Sequence, residues 1–383
     1  MKSLFTFLLS LFVLSFAGAQ SGLWTDVSEQ RIMLPVESEV AITATQYRTL
    51  ALEYEPFVQQ IANAPLAFTA AAQNAPAEIE LPLPDGTTEK FEVVESRIMA
   101  PELAAKYPYI KAYTAISKDR PLVTARFEVT TKGISAGINT PEGRVHVEPY
   151  ASHQNRYFIS YYKRHQQLEE MPELTCGFDN HAEEMLAEVH QERTRESEEL
   201  SFRSTAGAAL PLRTYRMALV CTGEFAQGQG GTMDDVMSAY AVALNRMNEV
   251  FQSEVSVTME LIPDNDELIH LDPGTDPFNN ANMGGALLGQ NQDFLNGAVG
   301  LNNFDIGHIF TGGCTDVGGV VSGAVCTPGK GRGVTCFSFS NVVAIVDRIV
   351  THEVGHQFSA GHSWNNCPGI LEQLSSSNAY EPG

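Results

Sequence analysis

Between residues 91 and 164 the chain alternates apolar and polar positions with a period of two. FEVVESRIM (91–99), TARFEVTTKGISAGI (124–138), GRVHVEPY (143–150) and RYFISYYKR (156–164) follow this pattern, with Gly, Pro and Asp between the runs. The pattern predicts half-buried strands. Upstream, ITATQYRTLALEYEPFVQQIANAP (42–65) predicts a strand and then a helix. Residues 20 to about 165 therefore read as one β-rich unit.

Beyond it the pattern changes. HAEEMLAEVHQERTRESEEL (181–200) is charged and helix-favouring, and RSTAGAALP (203–211) is small and flexible. That shift predicts a linker and a domain boundary near 203–211. RTYRMALVCTGEF (213–225) reads as a strand. TMDDVMSAYAVALNRMNEVFQSE (232–254) reads as a helix, because Met233, Val236, Met237, Tyr240, Ala243, Leu244 and Met247 recur at helical spacing. VSVTMELI (255–262) predicts a strand, MGGALLGQNQDFLNGAV (283–299) a helix, and FDIGHIF (304–310) and GRGVTCFSF (331–339) two more strands. VAIVDRIVTHEVGHQF (343–358) predicts a final helix. Strands alternating with helices predict an α/β domain.

The 383 residues exceed what one domain usually needs. A net charge of -22, with 46 acidic against 24 basic residues and no basic cluster, argues against a nucleic-acid partner. The first residues, MKSLFTFLLSLFVLSFAGAQ, carry one lysine, an apolar run and an A-x-A site at Ala17 and Ala19. Residues 1–19 thus read as a signal peptide, which predicts export and a mature chain with no membrane span. Export permits disulfides among Cys176, Cys221, Cys314, Cys326, Cys336 and Cys367. Only Cys176 precedes residue 210, so the other five cannot all pair among themselves.

The chemistry concentrates in HEVGHQFSAGH (352–362). His352 and His356, four apart on a helix, lie on one face and can share one metal ion. Zinc takes neutral imidazole nitrogens and in catalytic sites keeps a position open for water. It lowers that water's pKa, and Glu353, beside the first histidine, is placed to take the proton. His362 can join only if the helix stops and the chain turns back, for which Gly361 is available. A helix carrying solvated histidines is the bland alternative, made unattractive by the third histidine. Glu372 is a rival third ligand, on a later helix.

HEVGHQFSAGH resembles the extended zinc motif of the metzincins, HExxHxxGxxH. With HEVGHQFSAGHSW and the late AYEPG it resembles the secreted bacterial reprolysin-like (adamalysin-type) metallopeptidases. LPLPDG, SRIMAPELAAKYPYIKAYTA, VEPY and YFISYYKR are similar to that family's propeptide, and TDPF, FDIGHIFTGG and KGRGVT to its catalytic domain. The resemblance implies a signal peptide over 1–19, a β-rich propeptide domain over 20–205 and an α/β (α+β) metzincin-like catalytic domain over 206–383, with a mixed sheet and an active-site helix. It implies His352, His356 and His362 as zinc ligands, Glu353 as general base, and secretion from a Gram-negative bacterium. Two departures stand out. Ser359 occupies the place of the family's glycine, and the methionine turn expected downstream is absent, since Met283 is the last methionine. The catalytic domain is therefore expected to be C-terminally incomplete, with Cys367 separated from a partner.

Cys176, in ELTCGFDN, is a candidate cysteine switch, since a thiolate is a good zinc ligand. A disulfide or a spare thiol is the alternative. LDPGTDPFNN offers Asp272 and Asp276 for Ca2+, against the plainer reading of a Pro- and Gly-defined turn. His308 reads as a structural strand residue, and Asp347 and Arg348 as a solvated helix face. GGVVSGAVC (318–326) is a candidate edge strand for pairing with a peptide. The expected function is a secreted zinc endopeptidase made as a zymogen, with protein or peptide substrates and its own propeptide as inhibitor. The other reading is a catalytically impaired secreted binding protein on a metalloprotease scaffold, for which Ser359 and the missing methionine speak.

Overall fold

The computed structural model describes residues 22–40, 42, 44–166, 176, 211–337 and 342–362, with only the backbone at 343, 344, 347 and 348. The expected signal peptide, the charged helix expected at 181–200, the expected linker up to residue 210, Cys367 and Glu372 fall outside these residues, as do the side chains of Asp347 and Arg348. Among the described residues, no helix is long and apolar enough to cross a membrane.

The alternating runs build a nine-stranded antiparallel sheet. Its strands are β1 (Trp24–Asp26), β2 (Arg48–Leu52), β3 (Ala77–Pro82), β4 (Thr88–Ser96), β5 (Lys111–Ser117), β6 (Thr124–Thr130), β7 (Gly133–Thr140), β8 (Gly143–Pro149) and β9 (Tyr157–Tyr162). They lie in the order β1-β2-β9-β8-β7-β6-β5-β4-β3. The sheet curls until its outer strands meet, and the Trp24 indole Nε1 on β1 donates to the Glu80 carbonyl on β3 at 2.8 Å. Inside the curl, Leu50, Phe57, Phe91, Phe127 and Phe158 are fully buried. The single run expected at 124–138 is two strands, because Gly133, at φ 99, turns the chain.

The second sheet has the order β11-β10-β12-β14-β13. It contains β10 (Arg213–Cys221), β11 (Val257–Leu261), β12 (Ile306–Gly312), β13 (Gly319–Val321) and β14 (Gly333–Phe337). All neighbours are parallel except β13, which pairs antiparallel with β14 at the edge. The predicted α/β architecture, with a mixed sheet and a β-rich N-terminal part, is present. The long helix Met233–Val255 begins at Thr232, whose hydroxyl accepts from the Asp235 amide at 3.2 Å. It ends at Ser256 in the left-handed conformation (φ 54), so the following strand starts at Val257, two residues later than the hydrophobic pattern suggests.

This helix is buried almost all round because it lies between the sheets. Val236, Tyr240, Leu244 and Met247 enter the core of the mixed sheet with Met217, Leu219 and Phe310. Its other face meets the nine-stranded sheet through polar contacts. Asn245 donates to Glu128 Oε1 (2.6 Å) and accepts from Arg126 (3.1 Å), while Glu249 accepts from Asn139 (2.6 Å) and Arg144 (2.8 Å). The N-terminal part also reaches the edge of the mixed sheet. Leu261 on β11 exchanges backbone hydrogen bonds of 2.9 Å with Ile98 and Ala100. Ile98, Met99, Leu103, Tyr107 and Ile110 join the same core as the long helix.

Candidate metal centre

The final helix runs Val342–Ile345, then a π-helical turn Val346–Val350, then Thr351–Gln357. The Thr351 hydroxyl donates to the Val346 carbonyl at 3.0 Å, five residues back, and so supports the widened turn. Such turns change the direction in which the residues after them point, and they recur at functional sites. His352 and His356 project from one face, with their Nε2 atoms 2.9 Å apart.

His362 joins them because the helix stops at Gln357. The Ser359 amide donates to the His356 carbonyl at 2.8 Å and the Ala360 amide to the Gly355 carbonyl at 3.0 Å. This is a Schellman termination, whose pivot takes the left-handed conformation. Ser359 is that pivot, at φ 70. The expected return of the chain is present, and the residue that turns it is Ser359 rather than Gly361. Ring centroids of His356 and His362 lie 4.6 Å apart, and those of His352 and His362 5.3 Å apart.

A fourth donor comes from the N-terminal half. Cys176 forms a parallel bridge with Gly319 on β13, and its Sγ lies 3.5 Å from His356 Nε2. Ligand atoms of Cys176, His352, His356 and His362 all lie within 4.8 Å of one another. Three imidazoles and one thiol in so small a volume fit a tetrahedral zinc site. The imidazoles are prepared for it. His356 Nδ1 is 2.7 Å from the Ala360 carbonyl and can only donate to it, which leaves Nε2 with a lone pair toward the cluster. Burial, with His352 and His362 nearby, brings the pKa of His356 down to about 3, so the ring is neutral.

Glu353 is 1 % exposed, and its Oε2 has no hydrogen-bond partner among the described residues. Burial pushes its pKa up to about 8, against a smaller lowering by Cys176. A Cβ on Gly319 would stand 2.5 Å from the Glu353 carboxylate, so the edge strand approaches Glu353 only because residue 319 is glycine. The segment 318–326 thus contains the edge strand expected from its sequence, and that strand faces Glu353.

The remaining candidates lie apart from this centre. His308 is fully buried on β12, with Nδ1 2.8 Å from Gln357 Oε1 and Nε2 2.9 Å from Thr335 Oγ1. It is a structural strand residue, as expected. Asp276 accepts from the amides of Gly223 (2.8 Å) and Phe278 (3.0 Å), and Asp272 from the Gly274 amide (2.8 Å). These bonds shape the turn read from LDPGTDPFNN. Cys314 on the loop after β12 is bonded to Cys336 on β14. Cys221 is buried, and burial pushes its thiol up to about 12, which keeps it inert. The sequence reading missed Gly319, Thr335 and Gln357. Among these, only Gln357, adjoining the second histidine of the motif, carried a positional hint.

Residues 237–363 match the family described as Metallo-peptidase family M12B Reprolysin-like. The matched stretch runs from the long helix through His362, and over it the resemblance to a reprolysin-like metallopeptidase holds. Among solved structures, metalloproteinase-II from Bacteroides fragilis is similar at 13% identity and a TM-score of 0.41, over 82% of this chain and 86% of that one. No curated protein matches.

Proposed function

We propose that the protein is an exported zinc endopeptidase made as a zymogen, with residues 1–19 as signal peptide, 20–205 as propeptide and 206–383 as catalytic domain. One observation carries the reading: Cys176, from the N-terminal half, meets His352, His356 and His362 around one point beside buried Glu353. His352, His356 and His362 would hold Zn2+. When bound, zinc supplies Lewis acidity toward the scissile carbonyl and toward water. Glu353 takes the attacking water's proton and passes it to the leaving amine. The substrate is a protein or peptide segment lying along β13, paired backbone to backbone. In the zymogen Cys176 occupies this edge at Gly319 and supplies the fourth donor, which keeps water and substrate out. The Cys314–Cys336 disulfide supports export.

The test compares the zinc-loaded protein, freed of the residues before 211 by limited proteolysis, with its Glu353→Gln variant on an unfolded protein substrate. The expected result is cleavage by the parent and a loss of about 100- to 10,000-fold in the variant, with zinc content unchanged. A parent that holds zinc and cleaves nothing sinks the peptidase reading.

A further inference from the structure

Gln357 follows the second histidine of the motif, is fully buried, and touches none of the other cluster residues through its side chain in any described hydrogen bond. Both amide hydrogens and the amide oxygen nevertheless have partners. Nε2 donates to the Gly307 carbonyl at 2.8 Å and to the Lys330 carbonyl at 3.3 Å. This fixes which way round the amide sits, since only its nitrogen can donate. Oε1 therefore faces His308 Nδ1, which must carry the proton and donate at 2.8 Å. His308 Nε2 is then the acceptor for the Thr335 hydroxyl at 2.9 Å. Burial holds the His308 pKa down near 4, which keeps this tautomer neutral in ordinary buffers. Space for the cluster depends on Gly333, where a Cβ would lie 2.5 Å from both Gln357 Oε1 and His308 Nδ1.

The backbone of Gln357 is held as well. Its carbonyl accepts from the Val325 amide at 2.9 Å. In a continuing helix that carbonyl would accept from residue 361. Capture by Val325 takes it out of the helix at the place where the chain must leave helical geometry for Ser359 to pivot. Side chain and carbonyl together tie the last helical turn to β12 and to the segment between β13 and β14.

We infer that Gln357 is a positioning residue for the metal centre: clamped by His308 and by the Gly307, Lys330 and Val325 backbone, it ends the helix where His356 and His362 can meet His352. The inference rests on the zinc reading above. A clamp of this kind acts as an outer-shell support, and loss of such supports costs about 10- to 100-fold in metal affinity.

The full chain, with Cys176 in place, is titrated with zinc against a competing chelator and separately loaded with Co2+, whose visible bands report tetrahedral ligation. Gln357→Met keeps the volume and removes the polar contacts. It is expected to weaken zinc by about 10- to 100-fold and to shift or flatten the cobalt bands, with far-UV circular dichroism unchanged. His308→Leu leaves Gln357 its carbonyl partners and is expected to move both readings in the same direction by less, and it serves alone if Gln357→Met does not fold. His308→Gln, which can still donate to Gln357 Oε1, is expected to stay close to the parent. A folded Gln357→Met or His308→Leu protein with parental affinity and spectrum overturns the inference. A parent that binds neither zinc nor cobalt overturns the metal-centre reading itself, and the inference with it.

Discussion

Ser359 carries backbone strain at the pivot of the site. It is a non-glycine residue at φ 70, where an L side chain costs roughly 1–2 kcal/mol, and the return of His362 depends on it. Serine tolerates the pivot; a β-branched residue does not. Ser359→Val is therefore expected to lower zinc affinity at least tenfold in a chelator competition, while Ser359→Gly retains it. Equal affinities for the two variants would remove the pivot from the account of the site. The meeting of His352 and His356 was legible because four-residue spacing on a helix dictates a common face. The residues that steer them were not. Gln357 and Thr335 act through His308, tens of residues away along the chain, and the local string does not encode those contacts.

At the scale of elements, the long helix Met233–Val255 and its partners decide how the two sheets meet. Its apolar face was visible in the sequence as a helical repeat. Its polar face, read alone, suggests solvent, yet Asn245 is fully buried between Arg126 and Glu128. Asn245→Leu strips both of these buried groups of a partner, at a cost of about 1–3 kcal/mol. The expected readout is a lower urea midpoint for the full chain, with no change for a form freed of the residues before 211. The sheet edges follow the same logic. β11 is covered by residues 98–100 and β13 is bridged by Cys176, so both edges of the mixed sheet are met by the N-terminal half.

For the whole molecule, the interface between the sheets couples stability to pH. Burial pushes the Glu128 carboxyl up to about 7, with Arg246, Asn245 and Arg126 opposing and Glu249 adding to the rise. Detached or unfolded, Glu128 returns toward its ordinary 4.5. A carboxyl whose pKa is raised in the assembled state favours assembly fully below the lower value, and the gain is lost as pH rises through the upper one. Stability of the full chain is therefore expected to fall between about pH 4.5 and 7 from this group, by roughly 3 kcal/mol, and Glu128→Gln is expected to flatten that slope. Urea titrations of both proteins across this range measure it; parallel curves would assign the slope elsewhere. The proposed latency is tested by Cys176→Ala. With the fourth donor gone, the uncut full-length variant is expected to cleave an unfolded substrate where the uncut parent does not.

By itself the sequence determined the local terms. Period two set the N-terminal strands, the helical repeat set the long helix, and the HExxH spacing set the common face of His352 and His356. Each of these depends only on neighbours a few residues away along the chain. The tertiary structure alone decided which distant groups share a volume. Cys176 reaches a histidine 180 residues later because β13 leaves its edge open to it, and Glu353 fits beneath that edge because residue 319 lacks a Cβ. The turn at LDPGTDPFNN was legible from its Pro and Gly, but the amides its two aspartates accept from, Gly223 among them, were not. Burial and hydrogen-bond satisfaction are properties of the packed chain, and a linear pattern constrains them only on average.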